Sequence, residues 1–279
     1  MGVLLALLSA LCYGSSDFTA GVGGRRSNPV AVTVIAQPVG LVAAAVAVVA
    51  LSARSPAPHA LWWGALSGIG SAVGTVSLYR GLAVARMSVV APLSAVLTAA
   101  LPALAGFLLG EHLTALAWAG IALALPAIAL VSLQPSDGQG SRRAGVVTGV
   151  VAGAGFALLF IALDRAGTAA GAWPLLPGQA VAAVLVLAWA APPPNRPDRE
   201  AWSQAWRLGL PAGMLGGIAT LLYLAATGTG RLAVVAVVTA LYPGFTILLA
   251  RLMLHERWSR LQVIGLAAAA VAVAAISIE

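Results

Sequence analysis

Residues 86–120 read RMSVVAPLSAVLTAALPALAGFLLGEHLTALAWAG, and residues 231–265 read RLAVVAVVTALYPGFTILLARLMLHERWSRLQVIG. Laid over one another at a shift of 145 positions (231 − 86), the two stretches run without a gap. Arg86 meets Arg231, Val89-Val90-Ala91 meets Val234-Val235-Ala236, Leu104-Ala105 meets Leu249-Ala250, Glu111 meets Glu256 and Gly120 meets Gly265. The correspondence spreads outward at shifts of 142 to 145. Gly2 and Tyr13 fall on Gly145 and Phe156, Gln37 on Gln179, and Tyr79 on Tyr223. The chain therefore divides into two copies of one unit, 1–138 and 139–279.

Composition says what each copy is built from. Hydrophobic residues make up 61% of the 279 and charged residues 8%, against about 45–50% and about 25% in soluble globular chains. The mean hydropathy is +0.98. A water-facing surface of that size cannot be covered with so few charges, so the chain is a polytopic membrane protein. Gly, Pro and Arg punctuate it into ten apolar segments: 3–23, 30–51, 61–84, 87–109, 114–133, 145–165, 173–191, 206–229, 232–254 and 259–278. Each approaches the length of about 20 residues that an α-helix needs to cross a bilayer. A membrane β-barrel would instead alternate apolar and polar residues. The expected fold is all-α, with ten transmembrane helices.

Ten helices in two copies give five each, and five is odd. The second copy enters the membrane from the opposite side, which makes the copies inverted-topology repeats. That architecture is typical of secondary transporters, with the substrate site near the midplane between repeats. All 15 basic residues are arginine. Twelve of them fall at the odd-numbered loops (25, 26, 80, 86, 142, 143, 196, 199, 207, 251, 257 and 260), and three at the even-numbered loops (54, 165 and 231). The positive-inside rule then sets both termini outside the cytoplasm.

The same inventory excludes several functions. Without lysine there is no Walker A loop and no Schiff base with retinal or pyridoxal phosphate. The net charge of +7 comes from arginines flanking apolar runs, not from a basic face suited to nucleic acid. Cys12 is the lone cysteine. Met1 to Leu11 has a signal-like apolar core without a basic start or a clear cleavage site, and reads as the first helix. An intramembrane protease would need an embedded His, or a Gly-x-Gly-Asp carboxylate with a facing Asp. His59, His112 and His255 lie at segment ends, and Asp164 lacks the motif. No metal-ligand spacing occurs. The expectation is a non-enzyme without cofactor or metal, working on a small-molecule substrate in a lipid bilayer as monomer or homodimer.

Several stretches together resemble the drug/metabolite transporter superfamily, in its ten-helix EamA-type branch. They are Tyr13-Gly14-Ser15-Ser16-Asp17-Phe18, Leu78-Tyr79-Arg80-Gly81-Leu82-Ala83, Met87-Ser88-Val89-Val90-Ala91-Pro92 and Gly110-Glu111-His112-Leu113-Thr114. Their second-copy counterparts are Leu222-Tyr223-Leu224-Ala225-Ala226 and His255-Glu256-Arg257-Trp258-Ser259. The resemblance implies a secondary transporter of small metabolites or drugs, often an exporter, in the bacterial inner membrane. It also implies a central cavity lined by helices 1, 3, 4, 6, 8 and 9. The chain departs from the family pattern in its arginine-derived orientation, which leaves import and export both open. It departs again in carrying His255 where the first copy has Gly110.

Asp17 is the carboxylate set well inside an apolar segment, and ionisable groups there mark function by default. Taking helix 1 to end near residue 22, Asp17 and Arg80 lie at similar depth on one side, so a buried ion pair is expected. Both charges vanish in the second copy, where Phe160 and Leu224 stand in their places. Three roles stay open: substrate or proton coupling, a structural pair, or snorkelling to the headgroups. Tyr13, Ser16, Tyr79, Tyr223 and Tyr242 are the further candidates for a part-wet cavity. Glu111 and Glu256 end helices 4 and 9 and are expected to make helix-end ion pairs, Glu111 reaching Arg54 and Glu256 reaching Arg260; gating is the alternative. Gln37 and Gln179 are expected to bond between helices. Pro92, Pro102 and Pro243 supply kinks, and glycines spaced four apart permit close helix packing.

The function expected from all this is a secondary active transporter of small metabolites or drugs, amino-acid-like or amphipathic, by alternating access, exporting and proton-coupled. A facilitative carrier, a channel-like pore and a non-transporting scaffold are the alternatives.

Overall fold

A computed structural model describes residues 1–51, 57–84, 87–133, 141–192, 195–255 and 259–278. The helices of the first copy are α1 (Gly2–Arg26), α2 (Pro29–Leu51), α3 (Pro58–Val84), α4 (Met87–Leu108) and α5 (Ala115–Val131). Those of the second are α6 (Arg142–Ala166), α7 (Leu175–Ala190), α8 (Arg199–Thr227), α9 (Leu232–Thr239), α10 (Tyr242–Leu254) and α11 (Arg260–Ser277). Since α9 and α10 share one crossing, the eleven helices of the described residues make ten transmembrane passes in two inverted five-pass repeats.

Seven helical stretches are long and apolar enough to cross a membrane, and α5 and α7 are shorter apolar ones. The 27-residue α3 carries a polar stripe of Ser67, Ser71 and Thr75. The termini of these helices follow local chemistry. Thr114 caps α5 by accepting from the Ala117 N–H, and Ser259, 145 residues on, caps α11 in a reciprocal box with Gln262. Asp198 caps α8 through the Ala201 N–H, which starts that helix at Arg199 rather than at the expected 206. At the far end of α4, Gly110 turns the chain with φ +88°. Its repeat partner His255 holds the same left-handed conformation at φ 56°, where a side chain costs about 1 kcal/mol. The glycine-to-histidine departure leaves the turn intact.

Pro243 sits at the start of α10. It has no N–H to give and its ring crowds the preceding turn, so the ninth pass breaks at Ala240–Leu241. Pro92 and Pro102 lie inside an unbroken α4.

The helices pack mainly across the repeat boundary. The most extensive contacts join α3 to α6, α1 to α8, α2 to α8, α5 to α11 and α4 to α6. Close approach depends on the spaced glycines. A Cβ added to Gly68 would run into the Gly178 carbonyl of α7, and one on Gly70 would meet the Gly155 carbonyl of α6 at 2.6 Å. The main apolar core lies toward the face that carries both termini. It includes Ala6, Ala47, Leu163, Tyr223 and Val235. All eight residues of α9 are buried, whereas α10, nearer the other face, buries none.

Candidate functional site

Between the repeats lies a cavity of about 180 Å³. Helix α1 contributes Tyr13, Ser16 and Asp17 to its wall, a spacing of three and four residues that puts all three on one helical face. Helix α3 contributes Ser67, Ser71, Thr75 and Tyr79, every fourth residue for three turns. Gln37 from α2 and Gln179 from α7 face in from related positions, and Tyr242 enters where Pro243 breaks the ninth pass. Thr98 of α4, Phe156 and Phe160 of α6, and Thr220 of α8 complete the parts that matter here.

Some of these polar groups are tied to the scaffold. Ser16 Oγ donates to the Ala212 carbonyl at 2.8 Å. The Tyr13 hydroxyl lies 2.9 Å from Thr220 Oγ1, whose own proton goes to the Gly216 carbonyl. Thr246 Oγ1 donates to the Gly14 carbonyl, fastening α10 to α1. Asp17 is different. Its side chain is exposed to the cavity, and no described residue hydrogen-bonds its carboxylate. The Gln37 and Gln179 amides likewise have no hydrogen bond to a described residue, so they are presented to the cavity and do not bridge helices as expected.

An aromatic row forms the floor. Tyr242 and Tyr13 stand 6.2 Å apart between ring centroids, Tyr13 and Phe160 also 6.2 Å, and Phe160 stacks on Tyr223 at 4.3 Å and 15°. Tyr223 is fully buried and does not line the cavity. Its hydroxyl donates to the Phe160 carbonyl at 3.1 Å, so it backs the floor from behind. Beyond that floor, Glu111 accepts the Leu232 N–H at 2.6 Å and the Ala233 N–H at 3.0 Å. These are orphan donors at the positive end of α9. The Gly110 turn aims Glu111 there, and it joins α4 to α9 on the termini face.

The structure also corrects the expectations for Arg80 and Glu111. Arg80 is exposed and does not line the cavity. Helix α1 continues to Arg26, which sets Asp17 nine residues, roughly 13 Å, from its end, while Arg80 is roughly 6 Å from the end of α3. The depths do not match, and the expected ion pair is not made. Glu111 spends both oxygens on backbone amides, so its bond is a helix cap. Glu256 and Arg54, with Arg86, lie outside the described residues. Sequence reasoning missed Thr33, Thr98, Phe156 and Phe160 as lining groups. The appearance of Phe160 opposite Asp17 in the repeat was the available signal for the last.

The EamA-like transporter family model matches residues 1–133 and 143–278, nearly the whole chain in two blocks. The chain belongs to the EamA-like transporter family. It is thus a multi-pass membrane transporter of the drug/metabolite transporter type. A solved structure titled "Crystal structure of protein" superposes with a TM-score of 0.71 at 16% identity, covering 99% of this chain and 97% of that one. At that identity the likeness is one of fold. No curated protein matches. The family implied helices 1, 3, 4, 6, 8 and 9 around the cavity; in this member α2 and α7 add Gln37 and Gln179. Among the described residues, no group of three His, Cys, Asp or Glu could hold a metal ion.

Proposed function

We propose that the chain is a secondary active transporter that moves small metabolites across the bacterial cytoplasmic membrane by alternating access, exporting them in exchange for protons. The observation that carries this is the cavity between the inverted repeats with Asp17 on its wall, a carboxylate that no described residue hydrogen-bonds. An ionisable group inside a membrane bundle is costly and is held for a task. Support for alternating access comes from the uneven packing of the ends. The aromatic floor, the Glu111 cap and the buried α9 close the cavity on its termini side, whereas α10, toward the arginine-rich face, has no fully buried residue. With that face in the cytoplasm, the protein stands ready to receive a cytoplasmic solute. A sealed floor also speaks against an open pore.

The test uses purified protein in liposomes preloaded with a bacterial metabolite extract. Efflux is followed by mass spectrometry with and without a pH gradient, beside Asp17→Asn vesicles. Gradient-dependent loss of a few compounds, abolished by the substitution, is expected. Loss indifferent to both the gradient and Asp17 would mean facilitated diffusion and overturn proton coupling. No loss of any compound would overturn the transporter role.

A further inference from the structure

We propose that the cavity takes a small solute through a single cationic amine, with Asp17 as counter-ion, and that Tyr79 closes over Asp17 only when its charge is matched. This deepens the transporter role proposed above and rests on it.

The charge of the wall points to a cation. Among the described residues that line the cavity, Asp17 is the only formally charged one, and no arginine or histidine stands with it. An anion would find no positive partner there and would face the carboxylate. An ammonium group would meet an acceptor that no described residue satisfies, inside a bundle where unpaired charge is expensive. Tyr13, Tyr79 and Tyr242 share the cavity wall with that carboxylate, and the ring faces of Tyr13 and Tyr242 suit a cation. They are also the titratable groups that face it. Arg25, Arg207 and Arg251, on helices α1, α8 and α10, are exposed and outside the lining. The free amides of Gln37 and Gln179 can orient the rest of the solute. Size narrows the choice further. About 180 Å³ lies below the roughly 300 Å³ at which drug-sized pockets begin. A small monoamine fits, whether its tail is apolar or polar.

The repeat supplies the gate. On the sealed face, Tyr223 stacks on Phe160 and bonds its carbonyl. Subtracting the repeat shifts gives their first-copy counterparts: Phe160 becomes Asp17 (160 − 143) and Tyr223 becomes Tyr79 (223 − 144). When inverted repeats exchange conformations, Tyr79 moves toward Asp17 as Tyr223 now sits on Phe160. Phenylalanine accepts an aromatic ring unconditionally. A bare carboxylate does not, because the negative ring face repels it and closure strips its water. A proton or a bound ammonium removes the obstacle. Either can occupy Asp17, but not both together, so the carrier returns across the membrane only loaded with one or the other. The single Phe-to-Asp difference between the copies thereby turns an unconditional seal into an exchange lock.

Isothermal titration of the purified protein with phenethylamine, its uncharged analogue 2-phenylethanol and the anion phenylacetate tests the site. The amine is expected to bind at least tenfold more tightly than the alcohol, the scale of one charge-assisted hydrogen bond, and the anion not at all. Asp17→Asn should bring the amine down to the level of the alcohol, and Asp17→Glu should restore most of the difference. Acidification should weaken the amine in the native protein and leave the alcohol unchanged. Equal binding of alcohol or anion, an amine indifferent to Asp17→Asn, or no binding of any of the three overturns the cation site. The lock is read from exchange of labelled phenethylamine in vesicles, with leak through protein-free vesicles subtracted. Tyr79→Ala should keep amine affinity and lose exchange; exchange at the native rate overturns the gate. Metabolite efflux in the preceding experiment without amine binding would sink the cation site and leave the transporter standing.

Discussion

Glu111 shows how much one side chain can do at the edge of a membrane. Its two oxygens satisfy two amides that α9 cannot satisfy itself, and charge-assisted bonds of this kind contribute roughly 1.5–3 kcal/mol when made. Glu111→Ala should therefore lower the thermal unfolding midpoint in detergent by roughly 4–8 °C. Glu111→Gln, which keeps one acceptor oxygen, should recover about half of the loss. An unchanged midpoint in both would mean that the cap is not a stabilising contact. Residue by residue, the sequence was legible where polar groups interrupted an apolar run. Asp17, Tyr13, Ser16 and Tyr79 could be picked out that way, and the structure sets them on the cavity wall. Arg80 was misjudged because the end of α1 was placed several residues early, and a depth argument is only as good as the helix end it counts from. The direction of Gln37 and Gln179 was not legible either. In Ala-rich helices with apolar residues all round, no amphipathic pattern marks which face looks inward.

At the scale of the helix, breaks and close contacts were easier to foresee than their symmetry. Proline in a helix is locally readable, yet Pro92 and Pro102 are absorbed by α4 while Pro243 splits the ninth pass. The difference depends on what surrounds each one. Because Pro243 separates a buried α9 from an unburied α10, Pro243→Ala should fuse the two and slow solute exchange in vesicles without changing solute affinity. Equal exchange rates would remove the break from the transport cycle. The glycine contacts make a second prediction. Gly68→Ala thrusts a methyl at the Gly178 carbonyl, and overpacking of this sort costs typically about 1–3 kcal/mol. A lower unfolding midpoint and reduced monodisperse yield in size-exclusion chromatography are expected; native behaviour would show that α3 and α7 can part freely.

For the whole molecule, the count of five helices per copy carried the architecture, since an odd number forces the second copy to invert. What the sequence could not convey is which face is sealed, because each half supplies two tyrosines and a comparable set of glycines. That property belongs to the conformation and is tested by labelling. In a Cys12→Ser background, Thr75→Cys should react with a membrane-impermeant maleimide added from the arginine-rich face. Leu224→Cys, 2% exposed on the sealed side, should stay unlabelled from either face. The reverse pattern would mean that the protein rests open toward its termini.

The cross-repeat packing also has a consequence in time. During synthesis α1, α2 and α3 enter the bilayer long before α6, α7 and α8, the helices they pack against most extensively. A domain usually condenses as soon as it has emerged, but the first half of this chain has few partners within itself. It waits among lipids with its glycine faces open and Asp17 unaccompanied, until the second half arrives upside down and completes it.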